Sequence, residues 1–518
     1  MNQATITNLL NKALKLHHQG QHDDADKIYK SILEIDRDNF DANHLHGCIL
    51  SQKEKHKEAL IYFFKALKKK QDNYEVNNNI GIAYKNLNNL ERSEKFFLAA
   101  INIDDTNYKA LFNCANVYIK TKDFNKSINF LVKSINCNNN FAESHQRLGE
   151  TYQQKFKLDK NIKHLASSKL CFEKSLMIDP TYADSCISLA ITMLWLGQID
   201  EADEYFKRAL KLNHSNDDYI SSYFNSFQND KTLLKTLVKH EFEQITFIDS
   251  DKDGIRNMKF SSDYYTKLKI AYSDLQDPEY NIDRLNLQDI KSISKILYNK
   301  PPIYSGNKLL GNNNFADLQS KYFSSNPEIL VVDDLLTKEA LEQLQRFCRS
   351  ANIFKYPYHN GYVGAFLSKG LSNKFILHLT DQIRQSFGEI FNNLRLTQAW
   401  IFKYDSKSKG INIHADQAAV NVNFWITQSE ANLNSQNGGL TVWNRVPPKD
   451  WSFEDYNYVD SSPKIEKILK DNDVPKVNIE YKENRAVIFN SKLFHATDNY
   501  EFKDNYADKR VNITFLYE

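Results

Sequence analysis

The sequence predicts a multidomain protein: an all-α repeat solenoid followed by an α+β domain whose antiparallel strands close into a sandwich or barrel. Three observations carry this. Small and aromatic residues recur every 34 positions through the first two fifths of the chain, the period is lost after residue 214, and from Pro327 onward the texture changes to short apolar runs of strand length. The 518 residues exceed what one hydrophobic core usually organises. With only 15 Gly and 10 Pro the chain favours long regular elements.

The repeats show first in a column of small residues, Gly47, Gly81, Ala115 and Gly149, at steps of 34, with Ala190 following after 34 plus an insertion of 7. Other columns keep the same step: Tyr84, Tyr118 and Tyr152; Ala59, Ser93, Ser127 and Ala202; Phe63, Phe97, Leu131 and Phe206; Ala66, Ala100, Ser134 and Ala209. Small residues let two antiparallel helices approach closely, and the aromatics fill the groove between one hairpin and the next. This pattern resembles the tetratricopeptide repeat. An earlier unit with Ala13, Ala25 and Tyr29 fits it as well, giving about six repeats over 1–214, with Asp179-Pro180 as a breaker and the extra seven residues between Tyr152 and Phe172. Such a solenoid is either scaffold or a concave groove for a peptide or partner protein.

Residues 215–326 read as a connecting region with a capping helix over Lys231–Glu243 and Asp230 as its N-cap. Within it, Asp249-Ser-Asp251-Lys-Asp253-Gly254 imitates the start of a calcium loop. Phe260 stands where a bidentate Glu is needed and Arg256 interrupts the loop, so an acidic turn is the better reading. In 327–518 a strand at Ile329–Val332 precedes a helical stretch reaching Cys348, and a second helix covers Asn373–Asn393. Strand signals follow near Thr397–Tyr404, Ala419–Thr427, Leu440–Trp443, Val477–Tyr481, Arg485–Phe489 and Val511–Tyr517.

Composition narrows the function classes. Lys and Arg total 67 against 65 Asp and Glu, a formal charge of +2, which argues against a dedicated nucleic-acid binder. No run of about 18 apolar residues and no secretory signal pattern occurs, so a soluble, cytoplasmic chain without a membrane span is expected. The six cysteines show no CxxC spacing and read as small core residues of a reducing compartment.

Chemistry concentrates in the β-rich part. His414 and Asp416 stand two apart, so on one extended strand both side chains leave the same face, and His495 supplies a third ligand. Two imidazoles and one carboxylate on one face of an octahedron suit ferrous iron with open positions better than tetrahedral zinc. An HxD pair taken alone is a weak signal. Its neighbours strengthen it: Tyr404-x5-Gly410-x3-His414-x-Asp416, the run Val420-Asn-Val-Asn-Phe-Trp425, Gly438-Gly439-Leu440, Arg485-Ala-Val-Ile-Phe489 leading into His495, and Lys509-Arg510-Val511-Asn512 fifteen residues on.

In that order these motifs resemble the iron(II)- and 2-oxoglutarate-dependent dioxygenases, in particular the prolyl-hydroxylase-like branch. The resemblance implies a double-stranded β-helix, or jelly-roll, core. It also implies His414, Asp416 and His495 as iron ligands, Arg510 as partner of the distal carboxylate of 2-oxoglutarate with Tyr404 beside it, and dioxygen as second cosubstrate. No catalytic side chain beyond the metal centre is implied. The intact Asp416 implies hydroxylation rather than halogenation. The bland alternatives are a solvent-facing Arg510 and a Tyr404 that merely fills core. Asn421 and Asn423 could hydrogen-bond groups around the metal or satisfy a sheet edge, and Trp425 and Trp443 could line a substrate pocket or simply pack. A long insertion over 444–484, with Pro447-Pro448-Lys-Asp-Trp451 and a helix at Pro463–Lys470, departs from the family pattern and reads either as a lid or as a surface excursion. The leading functional expectation is hydroxylation of a protein or peptide recruited by the solenoid. The alternatives are oxidation of an amino acid or other small metabolite, with the solenoid serving assembly, and a non-catalytic interaction protein.

Overall fold

The computed structural model describes residues 3–250, 262–286, 289, 291–297, 299–408, 410–457 and 461–518, and the chain divides into two compact units, Met1–Thr181 and Tyr182–Glu518. The segment with the calcium-loop likeness lies, from residue 251, outside the described residues. No helix among the described residues is long and apolar enough to cross a membrane. The six cysteines are free thiols.

The first unit is five helical hairpins: α1 (Gln3–His18) with α2 (His22–Ile35), α3 (Phe40–Gln52) with α4 (His56–Lys69), α5 (Tyr74–Asn86) with α6 (Leu90–Ile103), α7 (Tyr108–Lys120) with α8 (Phe124–Cys137), and α9 (Ala142–Asp159) with α10 (Ile162–Ile178). Their starts are chemically marked. The Asn39, Asn73 and Asn107 side chains accept from the backbone N–H of Ala42, Val76 and Ala110, satisfying donors that a helix N-terminus leaves open. Packing explains the small-residue column. A Cβ on Gly47, Gly81 or Gly149 would meet the ring of Phe63, Phe97 or Phe172 at 2.7, 2.6 and 2.7 Å, so the hairpin closes only because no side chain stands there. Where the column holds Ala115, the opposing column holds the narrower Leu131. The seven added residues lengthen α9 to 18 and α10 to 17, against 13 and 14 in the preceding α5 and α6. They move the serine that bonds the glycine carbonyl from the offset of Ser93, which donates to Gly81 O, to Ser168, which donates to Gly149 O.

The second unit opens with one more hairpin, α11 (Ala183–Trp195) and α12 (Ile199–Ser215), then α13 (Asp217–Asn225), α14 (Lys231–Asp249) and α15 (Ser262–Gln276). Asp230 caps α14 by accepting from the N–H groups of Thr232 and Leu233, and the helix runs six residues past its expected end at Glu243 because Gln244, Ile245 and Ile248 are buried. The compact units part at Thr181, ahead of this hairpin, rather than at 214 where the 34-residue period ends. Trp195 donates through Nε1 to Leu396 O at 2.7 Å, Arg395 donates to Trp195 O at 3.1 Å, and Lys374 pairs with Asp200 at 2.8 Å, which ties α11 and α12 to the β-rich part.

Further helices are α16 (Phe315–Ser324), α17 (Lys338–Ser350), α18 (Lys374–Ser386) and α19 (Ser462–Asp471). The strands are β1 (Ile329–Val332), β2 (Tyr356–Tyr358), β3 (Tyr362–Phe366), β4 (Leu396–Tyr404), β5 (Lys407–Ser408), β6 (Val420–Trp425), β7 (Leu440–Trp443), β8 (Lys476–Ile479), β9 (Ala486–Asn490), β10 (His495–Thr497), β11 (Tyr500–Glu501) and β12 (Val511–Tyr517). They form two main antiparallel sheets, one of seven strands in the order β1-β9-β6-β12-β4-β3-β2 and one of three, β10-β7-β8, with β5 pairing β11 separately. All six residues of β6 and all seven of β12 are buried, so both faces of the large sheet are covered at its centre. One face meets helices: Lys403 donates to Cys348 O at 2.5 Å and the Tyr517 hydroxyl donates to Thr380 O at 2.7 Å. The other face carries the site.

Candidate metal centre

Alternation along the strands decides what the inner face holds. In β6 it is Asn421, Asn423 and Trp425. In β12 and the residue before it, Arg510, Asn512 and Thr514 leave the same side, because Asn512 is opposite Trp425 and Thr514 opposite Asn423. Tyr404 joins them through the bond from its N–H to Arg510 O, and Phe489 of β9 stands opposite Asn421.

His414, Asp416 and His495 come together, with one ligand atom from each lying within 4.8 Å of the others. The expected continuous strand through His414 and Asp416 is not formed. His414 makes a single antiparallel bridge to His495, with N–H to O distances of 3.0 and 2.9 Å, and the chain then turns so that Asp416 N–H reaches Ser491 O at 3.1 Å. A two-bond bridge at His414 and a single bond at Asp416 replace a ladder and leave the intervening Ala415 to pack into a separate apolar cluster.

The protonation pattern of the rings follows from their other nitrogens. His414 Nδ1 lies 2.8 Å from Asn412 O and His495 Nδ1 2.9 Å from Leu493 O; a carbonyl only accepts, so each Nδ1 carries a proton and Nε2 is the nitrogen left to ligate. Asp416 Oδ2 lies 3.5 Å from His495 Nε2 and accepts from Asn421 Nδ2 at 2.9 Å. Two Nε2 atoms and a carboxylate therefore face one another, and with both rings neutral this is an acceptor-only arrangement that a cation resolves. Burial, and then the neighbouring His495 ring, push His414 down to about 4, which keeps it a neutral ligand. Burial opposes ionisation of Asp416, but the neighbouring rings when they carry charge, His495 first, together with the Asn421 amide, outweigh it and hold its carboxyl below the ordinary value. The residues fit a divalent metal.

Arg510 is 1% exposed, and its guanidinium lies 4.8 to 5.9 Å from the rings of Tyr404, Tyr500, Trp425 and Tyr481. Its Nε donates to Gly438 O at 2.9 Å, while Nη1 has no hydrogen-bond partner. The Tyr404 hydroxyl, Trp425 Nε1 and the side-chain oxygens of Asn421, Asn423 and Asn512 are also buried without partners. Burial raises the Tyr404 hydroxyl above its usual range, so it stays protonated and able to donate. A buried guanidinium with no carboxylate partner among the described residues costs several kcal/mol unless an anion meets it. The face thus has room in its bonding for an anionic group at Arg510.

Trp443 is not brought to this face. It follows Val442, which is opposite His495, and so leaves the other side of the small sheet, where it packs with Trp451, Ile465 and Leu469 of the insertion. Asn512 is a site residue that the motif reading omits, although its place two residues after Arg510 on one strand puts both on one face. The insertion itself is not a detached excursion. Ile465 and Leu469 of α19 form one cluster with Ala415 and Phe494, the neighbours of all three metal-site residues, and Asn457 donates to Ala415 O at 3.2 Å.

The tetratricopeptide repeat family matches this chain at residues 74–107 and 183–216, so the helical hairpins are tetratricopeptide repeats. No curated protein matches the chain. Among solved structures it is similar to PilW, a widely conserved type IV pilus biogenesis factor, at 21% identity over 43% of this chain and 100% of that one with a TM-score of 0.38. It is also similar to pilF of Pseudomonas aeruginosa at 16% identity, 43% and 96% coverage and a TM-score of 0.36. YrrB, a repeat protein with an unusual peptide-binding site, matches at 16% identity, 36% and 91% coverage and a TM-score of 0.30. The chain thus contains tetratricopeptide repeats, and a β-rich region of antiparallel sheets follows them.

Proposed function

We propose that the β-rich region is an iron(II)- and 2-oxoglutarate-dependent dioxygenase that hydroxylates a C–H bond, its two sheets being those of a double-stranded β-helix. The observation that carries this is the pairing, on one buried face, of an acceptor-only His-Asp-His cluster with an unpaired guanidinium. His414, Asp416 and His495 would hold the iron, and Arg510 with Tyr404 would take the distal carboxylate of 2-oxoglutarate. When bound, iron and 2-oxoglutarate couple the reduction of dioxygen and loss of carbon dioxide, leaving succinate, to hydroxylation of the substrate.

The chain's own contribution is orientation. Asn412 O and Leu493 O each accept the Nδ1 proton of a ligand ring and so fix its tautomer. Asn421 holds one oxygen of Asp416, turning the carboxylate. Arg510, locked through Nε to Gly438 O, aims its remaining nitrogens at one place, and a guanidinium fork matches a carboxylate in two bonds. Buried aromatic walls keep that pairing dry. The substrate class that fits best is a protein or peptide, of the prolyl-hydroxylase kind, since tetratricopeptide repeats generally bind such partners.

Anaerobic titration with ferrous iron and 2-oxoglutarate tests the reading. The wild-type protein is expected to give a visible charge-transfer band, absent in Asp416→Ala and weakened in Arg510→Ala. A metal-replete, reduced wild-type protein without the band overturns the assignment and leaves the repeats as the functional part.

A further inference from the structure

α14 carries Lys231, Lys235 and Lys239 at four-residue steps, which places all three on one side of the helix. That side borders a cavity of about 520 Å3, within the usual range for small-molecule sites. Lys403 and Lys509 line it too, so five lysines border it, whereas Asp405 is the single carboxylate in its lining. Asp405 binds Lys239 at 2.6 Å and Lys509 at 3.1 Å, and Glu243, behind the wall, also takes Lys509. Neither Lys231 nor Lys235 forms an ion pair among the described residues. Lys231 donates to the neutral carbonyls of Asp277, Pro278 and Tyr280 at 3.3, 2.8 and 2.7 Å. Lys403, 2% exposed, donates to Cys348 O and the Tyr506 hydroxyl at 2.5 and 2.6 Å and lies over the Phe354 and Tyr506 rings, and burial holds its amine down to about 7, so it adds little charge to the cavity.

A second, independent feature points to a ligand. His240 lines the same cavity, is 5% exposed, and has no hydrogen-bond partner at either ring nitrogen. An imidazole that is buried with both a donor and an acceptor unmet is costly, and uncompensated like charges around one cavity repel. A single ligand relieves both. It must be small, carry more than one negative charge in a compact group, and accept hydrogen bonds, which describes a phosphoryl group with its charge of about −1.5 to −2 near neutral pH.

We infer that this cavity is a second anion site, for a small phosphorylated metabolite, in which Lys235 and His240 donate to the phosphoryl oxygens while Lys231 supplies the field. The site does not rest on the dioxygenase reading, because no metal-site residue lines it. The two places share Tyr404, whose ring borders the cavity and also lies 4.8 Å from the Arg510 guanidinium.

Calorimetric titration of the full-length protein with inorganic pyrophosphate, without iron, tests this. Binding is expected at constant ionic strength, roughly tenfold weaker in Lys235→Gln, the scale of one lost charge-assisted hydrogen bond, and unchanged by saturating 2-oxoglutarate. Lys235 is partly exposed, so its replacement leaves the fold intact, and His240→Gln supplies the second variant. Equal binding by Lys235→Gln and wild type overturns the assignment, as does heat reproduced by sodium chloride alone. Displacement by 2-oxoglutarate would move the anion to Arg510 instead, and citrate binding as tightly as pyrophosphate would replace the phosphoryl class with a carboxylate one.

Discussion

One backbone position in each regular repeat hairpin is held in the left-handed region: Gly20, Glu54, Asn88 and Lys122, 34 residues apart, with φ of 77, 60, 57 and 61°, and Gly197 in the last hairpin at 80°. Left-handed backbone costs an L side chain roughly 1–2 kcal/mol, and only glycine adopts it freely. Lys122→Gly should therefore raise the stability of the first unit, by up to about 1 kcal/mol after the entropy lost by glycine, measured by urea unfolding. The glycines at 20 and 197 were the legible sign of this turn; Glu54 and Lys122 were not, since tertiary packing overrides their preference. Asp333 gives a second residue-scale expectation. Arg485 bonds it through two nitrogens at 2.6 and 3.0 Å and Lys482 at 2.8 Å, holding its carboxyl down to about 2 against partial burial. Its pKa is depressed in the folded state, so the contribution is complete above about pH 4 and fades as pH falls toward 2. More than a third of the side chain meets solvent, which limits the effect to at most about 1 kcal/mol. Asp333→Asn should lower urea stability by that amount at pH 7 and not at pH 2.

At the scale of elements, the insertion helix α19 acts on the ligand loops from outside the sheets. Ile465 is fully buried beside Ala415 and Phe494, so Ile465→Ala opens a cavity at a cost of about 2–5 kcal/mol. If α19 sets the ligand geometry, this variant binds ferrous iron more weakly and exchanges the amide hydrogens of 413–416 faster; unchanged affinity would reduce the helix to a structural cover. The strands of the site were largely readable, since Leu440–Trp443 and Val511–Tyr517 fall where alternation puts them. The hairpin of β2 and β3 was also written in the sequence, as Asn360-Gly361 between Tyr358 and Tyr362, where Gly361 takes φ of 76°, but its three-residue loop is easily passed over. By contrast β10 is three residues long and has no pattern of its own; it exists because β7 offers it an edge. The break after His414 was not legible either, because period two is the same whether a chain continues its ladder or leaves it after one bridge.

For the whole molecule, the two compact units predict how it can be cut. A chain of residues 182–518 should fold and give the same iron and 2-oxoglutarate band as the full protein, because it keeps Trp195 on Leu396 and Asp200 on Lys374. A chain beginning at 216 lacks both and leaves Leu396 O and its surroundings unpaired; it should melt earlier by differential scanning calorimetry. Retention of full stability by the shorter chain would show that the last hairpin belongs with the repeats alone. Nothing in the 34-residue period marks that hairpin as different, since the bond from Trp195 spans 201 positions of sequence. Its helices are regular repeat helices that also serve as a wall of the β-rich unit. This double duty bears on descent. Duplication or loss of whole 34-residue blocks is common currency for repeat genes, and such events can lengthen or shorten the segment before Thr181 freely, whereas the block from Ala183 to Ser215 is pinned by its second role and should be the one copy that lineages of this protein never discard.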